Sequence, residues 1–120
     1  VVSNKRIEVV KRGLKQSGLD MYFDVVLGKE NLPEPKPSAS GLIEACNLLH
    51  TSHDDCIYVG DNVADILAAK NMAAYSVGFS IDSKQREALE KAKPCKVIDD
   101  LMQLVTLCKE DHIWSDNTIW

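Results

Sequence analysis

The sequence contains no run approaching the roughly 20 apolar residues of a membrane span. No signal-peptide pattern opens it either, so a cytoplasmic protein without a membrane partner is expected. The first residues are Val1-Val2-Ser3 without a methionine, which leaves room for chain upstream. Basic charge is scarce: 14 Lys and Arg stand against 18 Asp and Glu, and the pI is near 5.3. That balance argues against a broad nucleic-acid or anionic-membrane surface, although "KRIEVVKRGLK" is a local basic spot. No CxxC pair occurs, and Cys46, Cys56, Cys95 and Cys108 are irregularly spaced, so free thiols in a reducing compartment are expected. Cys46, His50 and His53 lie close in sequence but match no common zinc module. A helix end followed by a polar loop accounts for them more simply.

What the chain does have is enough apolar material for one domain: 120 residues, 45% apolar and 27% charged. "VVSN" reads as the end of a short buried strand, and "KRIEVVKRGLKQSG" as a helix with Ile7, Val10 and Leu14 on one face and Gly18 as C-cap. "FDVVLG" (23–28) reads as a second strand, and the proline-rich "KENLPEPKPS" as a loop. A helix is expected over 38–49, starting near Pro37 or Ser38. "CIYVG" (56–60) is the clearest buried strand, followed by a helix (63–72), a strand (73–79), an exposed helix (83–93) stopped by Pro94, a short strand (95–98) and an amphipathic helix (99–110). The tail "DHIWSDNTIW" fits neither period; its Ile-Trp pairs could cap a core or fill a partner's groove. The expected division is a core domain over 1–110 and a tail over 111–120. Strands alternating with helices imply a mostly parallel sheet, and ligands of such sheets bind at the carboxyl ends of the strands.

Three polar signals fall at such ends. Ser3 and Asn4 close the first strand and could hold a phosphate oxygen, or merely turn the chain. Lys36 sits between prolines in "PEPKP", which limits the entropy lost in aiming its charge at phosphate; taken alone, it reads more simply as a solvated surface lysine. In "VGDNVAD", Gly60 permits a tight exit from the strand. Asp61 and Asp65 are one helical turn apart, so their carboxylates can converge on a hard cation such as magnesium. The alternative is that Asp61 is an N-cap and Asp65 a solvated helix residue.

Taken in order, a strand ending in Ser, a proline-flanked Lys and a strand ending in GDxxxD resemble the haloacid dehalogenase-like (HAD) hydrolase superfamily. The likeness is to its phosphoglycolate phosphatase-like and beta-phosphoglucomutase-like members, over about residues 1 to 108. The resemblance implies a three-layer, Rossmann-like α/β fold. It also implies that Ser3 contacts the transferred phosphoryl group, Lys36 stabilises its charge, and Asp61 and Asp65 position Mg2+. Two departures touch packing: Ala39 and Asn71-Met72 stand where the family often has Pro and Ala-Gly.

The larger departure is the absence of any Asp-x-Asp, the signature of the family's first strand, which carries the nucleophile and the general acid–base. Asp54-Asp55 and Asp99-Asp100 are adjacent, and adjacent residues of a strand point to opposite faces. Asp116 has no apolar strand before it. A cap domain, on which substrate choice mainly rests in the family, would also lie upstream. The first strand would sit centrally, between those ending at Ser3 and Gly60. Without it, the chain is expected to pair the flanking strands across the gap, to swap elements in a homo-oligomer, or to be unstable. Function then divides three ways. The chain is part of a magnesium-dependent phosphatase of small phosphate esters, inactive alone; or a non-catalytic remnant or interaction module; or, less in keeping with the Ser-Asn strand end, a receiver-type phospho-acceptor domain.

Overall fold

The computed structural model describes residues 1–110; the tail and its Ile-Trp pairs lie outside the described residues. Three parallel strands, β1 (Ile57–Gly60), β2 (Tyr75–Phe79) and β3 (Lys96–Ile98), form a sheet in that order. Ile57 aligns with Tyr75 and Phe79 with Ile98, as the short apolar runs demand. Five helices surround the strands: α1 (Ile7–Gln16), α2 (Ser40–Leu48), α3 (Val63–Asn71), α4 (Ser83–Lys91) and α5 (Met102–Glu110). Each falls within the stretch its periodicity indicated, one to three residues shorter at the ends. Ile7, Val10 and Leu14 are the half-buried residues of α1, and Gly18 follows its end with φ +71°.

Alternation along β1 divides the core in two. Ile57 and Val59 pack with Val77, Ile98 and Leu107 of α5 on one face. Tyr58 packs on the other face with Leu42 and Cys46 of α2 and Ala68, Ala69 and Met72 from α3 and its C-cap. Leu89 of α4 is fully buried over Gly78. Both faces of the sheet are therefore covered, which makes the fold three-layer α/β. No helix among the described residues is long and apolar enough to cross a membrane.

The expected strand at 23–28 is reduced to a single parallel bridge between Leu27 and Val2. Its backbone bonds run from Leu27 N to Val1 O (2.8 Å) and from Ser3 N to Leu27 O (3.0 Å). The ladder stays short because the chain turns into 3-10 geometry on both sides, at Asp20–Tyr22 and Lys29–Asn31. Nor do the flanking strands pair with each other, as one expected outcome had it. Among the described residues no backbone hydrogen bond joins the Val2 segment to β1. Side chains span the interval instead: Tyr58 Oη donates to Val2 O at 2.9 Å.

An apolar slot separates the two halves. One part, of about 350 Å³, is lined by Val1, Val2, Phe23, Val25, Ile57 and Val59 among others. A narrower part of about 170 Å³ runs between Val2, Leu42, Cys46, Cys56 and Met72. Its β1 edge carries backbone groups that have no backbone partner across the slot among the described residues. Cys56 O accepts from Tyr75 N on the β2 side, so the alternate residues Ile57 and Val59 direct their backbone groups at the slot. We predict that, in amide hydrogen exchange, Ile57 and Val59 exchange at least about 100-fold faster than Val77 of the paired strand. Equal protection would mean that the two halves have closed on one another.

Candidate active site

Gly60 ends β1, and its role is spatial rather than torsional. A Cβ there would collide with the side chain of Asp65, which lies directly on the glycine's backbone. The next turn is held by a reciprocal cap. Asn62 is the N-cap residue of α3 and accepts from Asp65 N at 3.2 Å, while Asp65 Oδ2 accepts from the amides of Asp61 (3.1 Å) and Asn62 (3.2 Å). The capping reading of Asp61 thus passes to Asn62, and Asp65 is not a solvated helix residue: it is 4% exposed. Its negative charge in the first turn of α3 also suits the helix dipole.

The other oxygen of Asp65 meets Lys36. Asp65 Oδ1 accepts from Lys36 Nζ at 2.5 Å, with both side chains about one-tenth exposed or less. Lys36 Nζ also donates to Tyr58 Oη at 2.9 Å and to Val2 O at 3.0 Å. Those three acceptors use all three ammonium hydrogens. Burial pulls the Lys36 pKa down, but the hydrogen bonds to Asp65 and Tyr58 and the attraction of their charges outweigh it, and the net displacement is upward. For Tyr58 burial dominates and the phenol is likewise raised, despite the opposing bond from Lys36.

The loop that presents Lys36 is clamped from both ends of the molecule. Asn4 grips its backbone with both atoms of its side-chain amide: Lys36 N donates to Oδ1 at 2.9 Å, and Nδ2 donates to Lys36 O at 3.2 Å. Asn71, at the end of α3, donates from Nδ2 to Pro37 O at 3.0 Å. Ser3 Oγ accepts from Lys5 N at 3.1 Å.

These residues border an open cavity of about 310 Å³ at the carboxyl end of β1. Lys36, Asp61 and Asp65 line it together with Val2, Tyr58, Phe79 and Leu101. Ser3 and Asn4 stand at the neighbouring strand end and are not among its lining residues. The Asn4 side chain is spent on the Lys36 backbone. Of the two aspartates, Asp65 has both oxygens engaged, whereas Asp61 has no hydrogen bond or ion pair to its carboxylate among the described residues. One free carboxylate at a strand end suits magnesium, which takes one or two carboxylates plus waters and phosphate oxygens. It is a partial ligand set: no cluster of three or more His, Cys, Asp or Glu occurs among the described residues.

Tyr58 was missed by motif reading, although its place one residue from the Ile57/Val59 face of an apolar strand marks a hydroxyl that needs a partner when buried. Asn62 and Asn71 were missed because each acts on a partner distant in sequence or on its own helix end.

The Lys36–Asp65 pair generates two expectations. Lys36→Met leaves a buried carboxylate with its amide donors alone and should cost roughly 3–5 kcal/mol in urea denaturation; a loss under about 1 kcal/mol would mean that the pair is solvated. Because Lys36 and Tyr58 are both raised above their ordinary values of 10.5 and 10.0, the unfolded chain releases these protons first as pH rises. Their stabilisation is therefore complete below about pH 10 and should decline above it, with the alkaline decline reduced in Lys36→Met/Tyr58→Phe. An unchanged alkaline limb in that double variant would contradict the assignment.

The chain is similar to known proteins along most of its length. The family described as haloacid dehalogenase-like hydrolase matches residues 1–79. The candidate pyrophosphatase PpaX of Caldanaerobacter subterraneus is 39% identical over 115 residues, covering 93% of this chain and 52% of that protein. The pyrophosphatase PpaX of Listeria welshimeri is 32% identical over 112 residues, with the same coverage of 93% and 52%. A predicted phosphoglycolate phosphatase from Haemophilus somnus superposes with a TM-score of 0.82 at 28% identity, over 89% of this chain and 48% of that one. The chain thus spans about half the length of the curated relatives it matches. By sequence motif, site geometry and overall match, the chain belongs to the haloacid dehalogenase-like hydrolase family.

Proposed function

We propose that the chain is the carboxyl-terminal part of a magnesium-dependent phosphatase that transfers a phosphoryl group from a small phosphate ester to an aspartate, and then to water. The observation that carries this is the juxtaposition of the buried Lys36 ammonium with the Asp61 carboxylate, which has no partner among the described residues, at the mouth of an open slot. The slot would seat a further strand: its walls are apolar, the backbone groups of Ile57 and Val59 face it from one edge, the Val2 carbonyl on the other edge is held by side chains alone, and its exit lies beside Lys36 and Asp61. An aspartate at the carboxyl end of a strand seated there would meet the phosphorus atom.

Lys36 holds the negative charge of the transferring group, and Asp65 and Tyr58 keep the ammonium protonated and aimed. Asp61 would supply one oxygen ligand to magnesium, which offsets phosphate charge when bound. Ser3, one residue beyond Val2, would contribute its hydroxyl to the phosphoryl oxygens once that strand narrows the opening. The relatives named as a pyrophosphatase and a predicted phosphoglycolate phosphatase support hydrolysis of a phosphoryl group, and the second of them supports an ester as its donor.

In the chain alone, Val2 O takes a hydrogen from Lys36 and another from Tyr58. A strand in the slot would offer a backbone N–H to that carbonyl, releasing one Lys36 hydrogen for a phosphate oxygen. The isolated chain should accordingly give no turnover of p-nitrophenyl phosphate above background with magnesium present. The protein with its upstream coding segment should turn over, and Lys36→Ala or Asp61→Ala should each lower kcat by about 10²–10³-fold. Turnover by the isolated chain would refute the missing-nucleophile account. An inactive longer protein would favour the non-catalytic module.

A further inference from the structure

The sulfur atoms of Cys46 and Cys56 face each other at 3.3 Å, inside van der Waals contact and about 1.3 Å from bonding distance. Neither takes part in the phosphoryl site. Cys46 is buried on α2; its second neighbour is Met72 Sδ, at 3.9 Å. Cys56 is half-buried in the residue before β1, and its thiol donates to Ser52 O at 3.2 Å. No disulfide is formed among the described residues.

The pair sits across the boundary between the two halves of the molecule. Cys46 belongs to the helix that follows the Lys36 loop, and Cys56 leads into the strand that ends at Asp61. Both line the narrow part of the slot, with Val2, Tyr58 and Met72. Side chains, rather than a backbone ladder, span the slot between these halves, so a covalent bond here would add to the packing, the Lys36 network and the Asn71–Pro37 hydrogen bond that hold them.

We propose that Cys46 and Cys56 form a redox pair that closes to a disulfide on exposure to a peroxide and clasps α2 to the start of β1. Cys56, the more accessible thiol, is oxidised first: its sulfur attacks the peroxide O–O bond, giving Cys56 sulfenic acid and one water. The Cys46 sulfur then attacks the sulfenic sulfur, the S–O bond breaks, the thiol proton goes to the departing hydroxide, and a second water leaves. Two thiols and one hydrogen peroxide thus yield one disulfide and two waters. Burial, together with the neighbouring Cys56, pushes the Cys46 thiol up to about 12. Cys46 is therefore a poor first reactant. Once Cys56 is a neutral sulfenic acid, the part of that elevation owed to Cys56 charge is removed, which favours closure at the second step.

Peroxide treatment of the folded chain, followed by alkylation and intact-mass measurement, tests this directly. The expected product has lost about 2 Da and two alkylatable thiols, and dithiothreitol restores both. Cleavage before Asp54 or Asp55 separates the two cysteines in sequence, so an Asp-specific protease should release Cys46 and Cys56 peptides joined to each other. Cys95→Ser/Cys108→Ser should behave identically, and its melting midpoint should rise by at least about 4 °C on oxidation. Retention of four alkylatable thiols, oxygen adducts on Cys56 without linkage, linkage through Cys95 or Cys108, or no rise in the midpoint would each overturn the proposal. The peptide map is made on the unmodified sequence, so the outcome does not depend on any variant folding.

Discussion

The Lys36 ammonium and the Asp65 carboxylate organise everything at the carboxyl end of this sheet. A lysine buried to this degree would ordinarily lose its proton or leave the interior. Here three acceptors hold it, and they come from three separate parts of the chain: the first strand segment (Val2), β1 (Tyr58) and α3 (Asp65). The carboxylate is equally well supplied, since its second oxygen takes the two amides that open α3. A buried ion pair contributes little net stability compared with apolar packing, but it fixes geometry, because any displacement leaves a charge unsatisfied. The requirement that Gly60 carry no side chain follows from the same pair, for Asp65 must lie against the strand to reach Lys36.

That constraint also explains how the two halves of the molecule keep their relative position without a continuous sheet. Val2 and Leu27 form one backbone pair, β1 to β3 form another unit, and apolar space lies between. Lys36 and Tyr58 both terminate on the Val2 carbonyl, which is the acceptor that a neighbouring strand would otherwise use. The side chains thus satisfy an edge that would cost about 1–3 kcal/mol per group if buried without a partner. Asn4 and Asn71 complete the frame by fixing the backbone of the Lys36 loop from opposite directions.

Much of this was legible in the sequence, for physical reasons that differ by element. The helices announce themselves through local periodicity, and α3 most clearly, because its cap, glycine and acidic residues all fall within "GDNVAD". The family resemblance rested on the order of Ser3, Lys36, Asp61 and Asp65, and the structure gathers the last three around one cavity. Residues 23–28 carried the composition of a strand but form one bridge, since strand composition cannot report whether a partner lies alongside. Tyr58 read as one more apolar residue of a buried strand; its hydroxyl matters only through Val2 and Lys36, 56 and 22 residues away. Cys46 and Cys56 likewise lacked any recognisable spacing, because their approach depends on how α2 packs against β1.

The two aspartates of "VGDNVAD" show that four residues of spacing need not give two side chains the same surroundings. Four residues on a helix bring side chains to one face, and from that rule alone both carboxylates point at a common ion. In the fold, however, Asp61 precedes the helix and Asn62 caps it, so the two do not share a helical face. Asp65 turns back toward the strand, where it meets backbone amides and the lysine, while the Asp61 carboxylate lines the cavity with no partner among the described residues. The separation follows from electrostatics as much as geometry. The Asp65 oxygens balance an ammonium and two amide dipoles, whereas the Asp61 carboxylate meets no donor among the described residues. Four residues thus divide the labour: the inner aspartate sets the charge and direction of Lys36, and the outer one remains available to whatever enters the site.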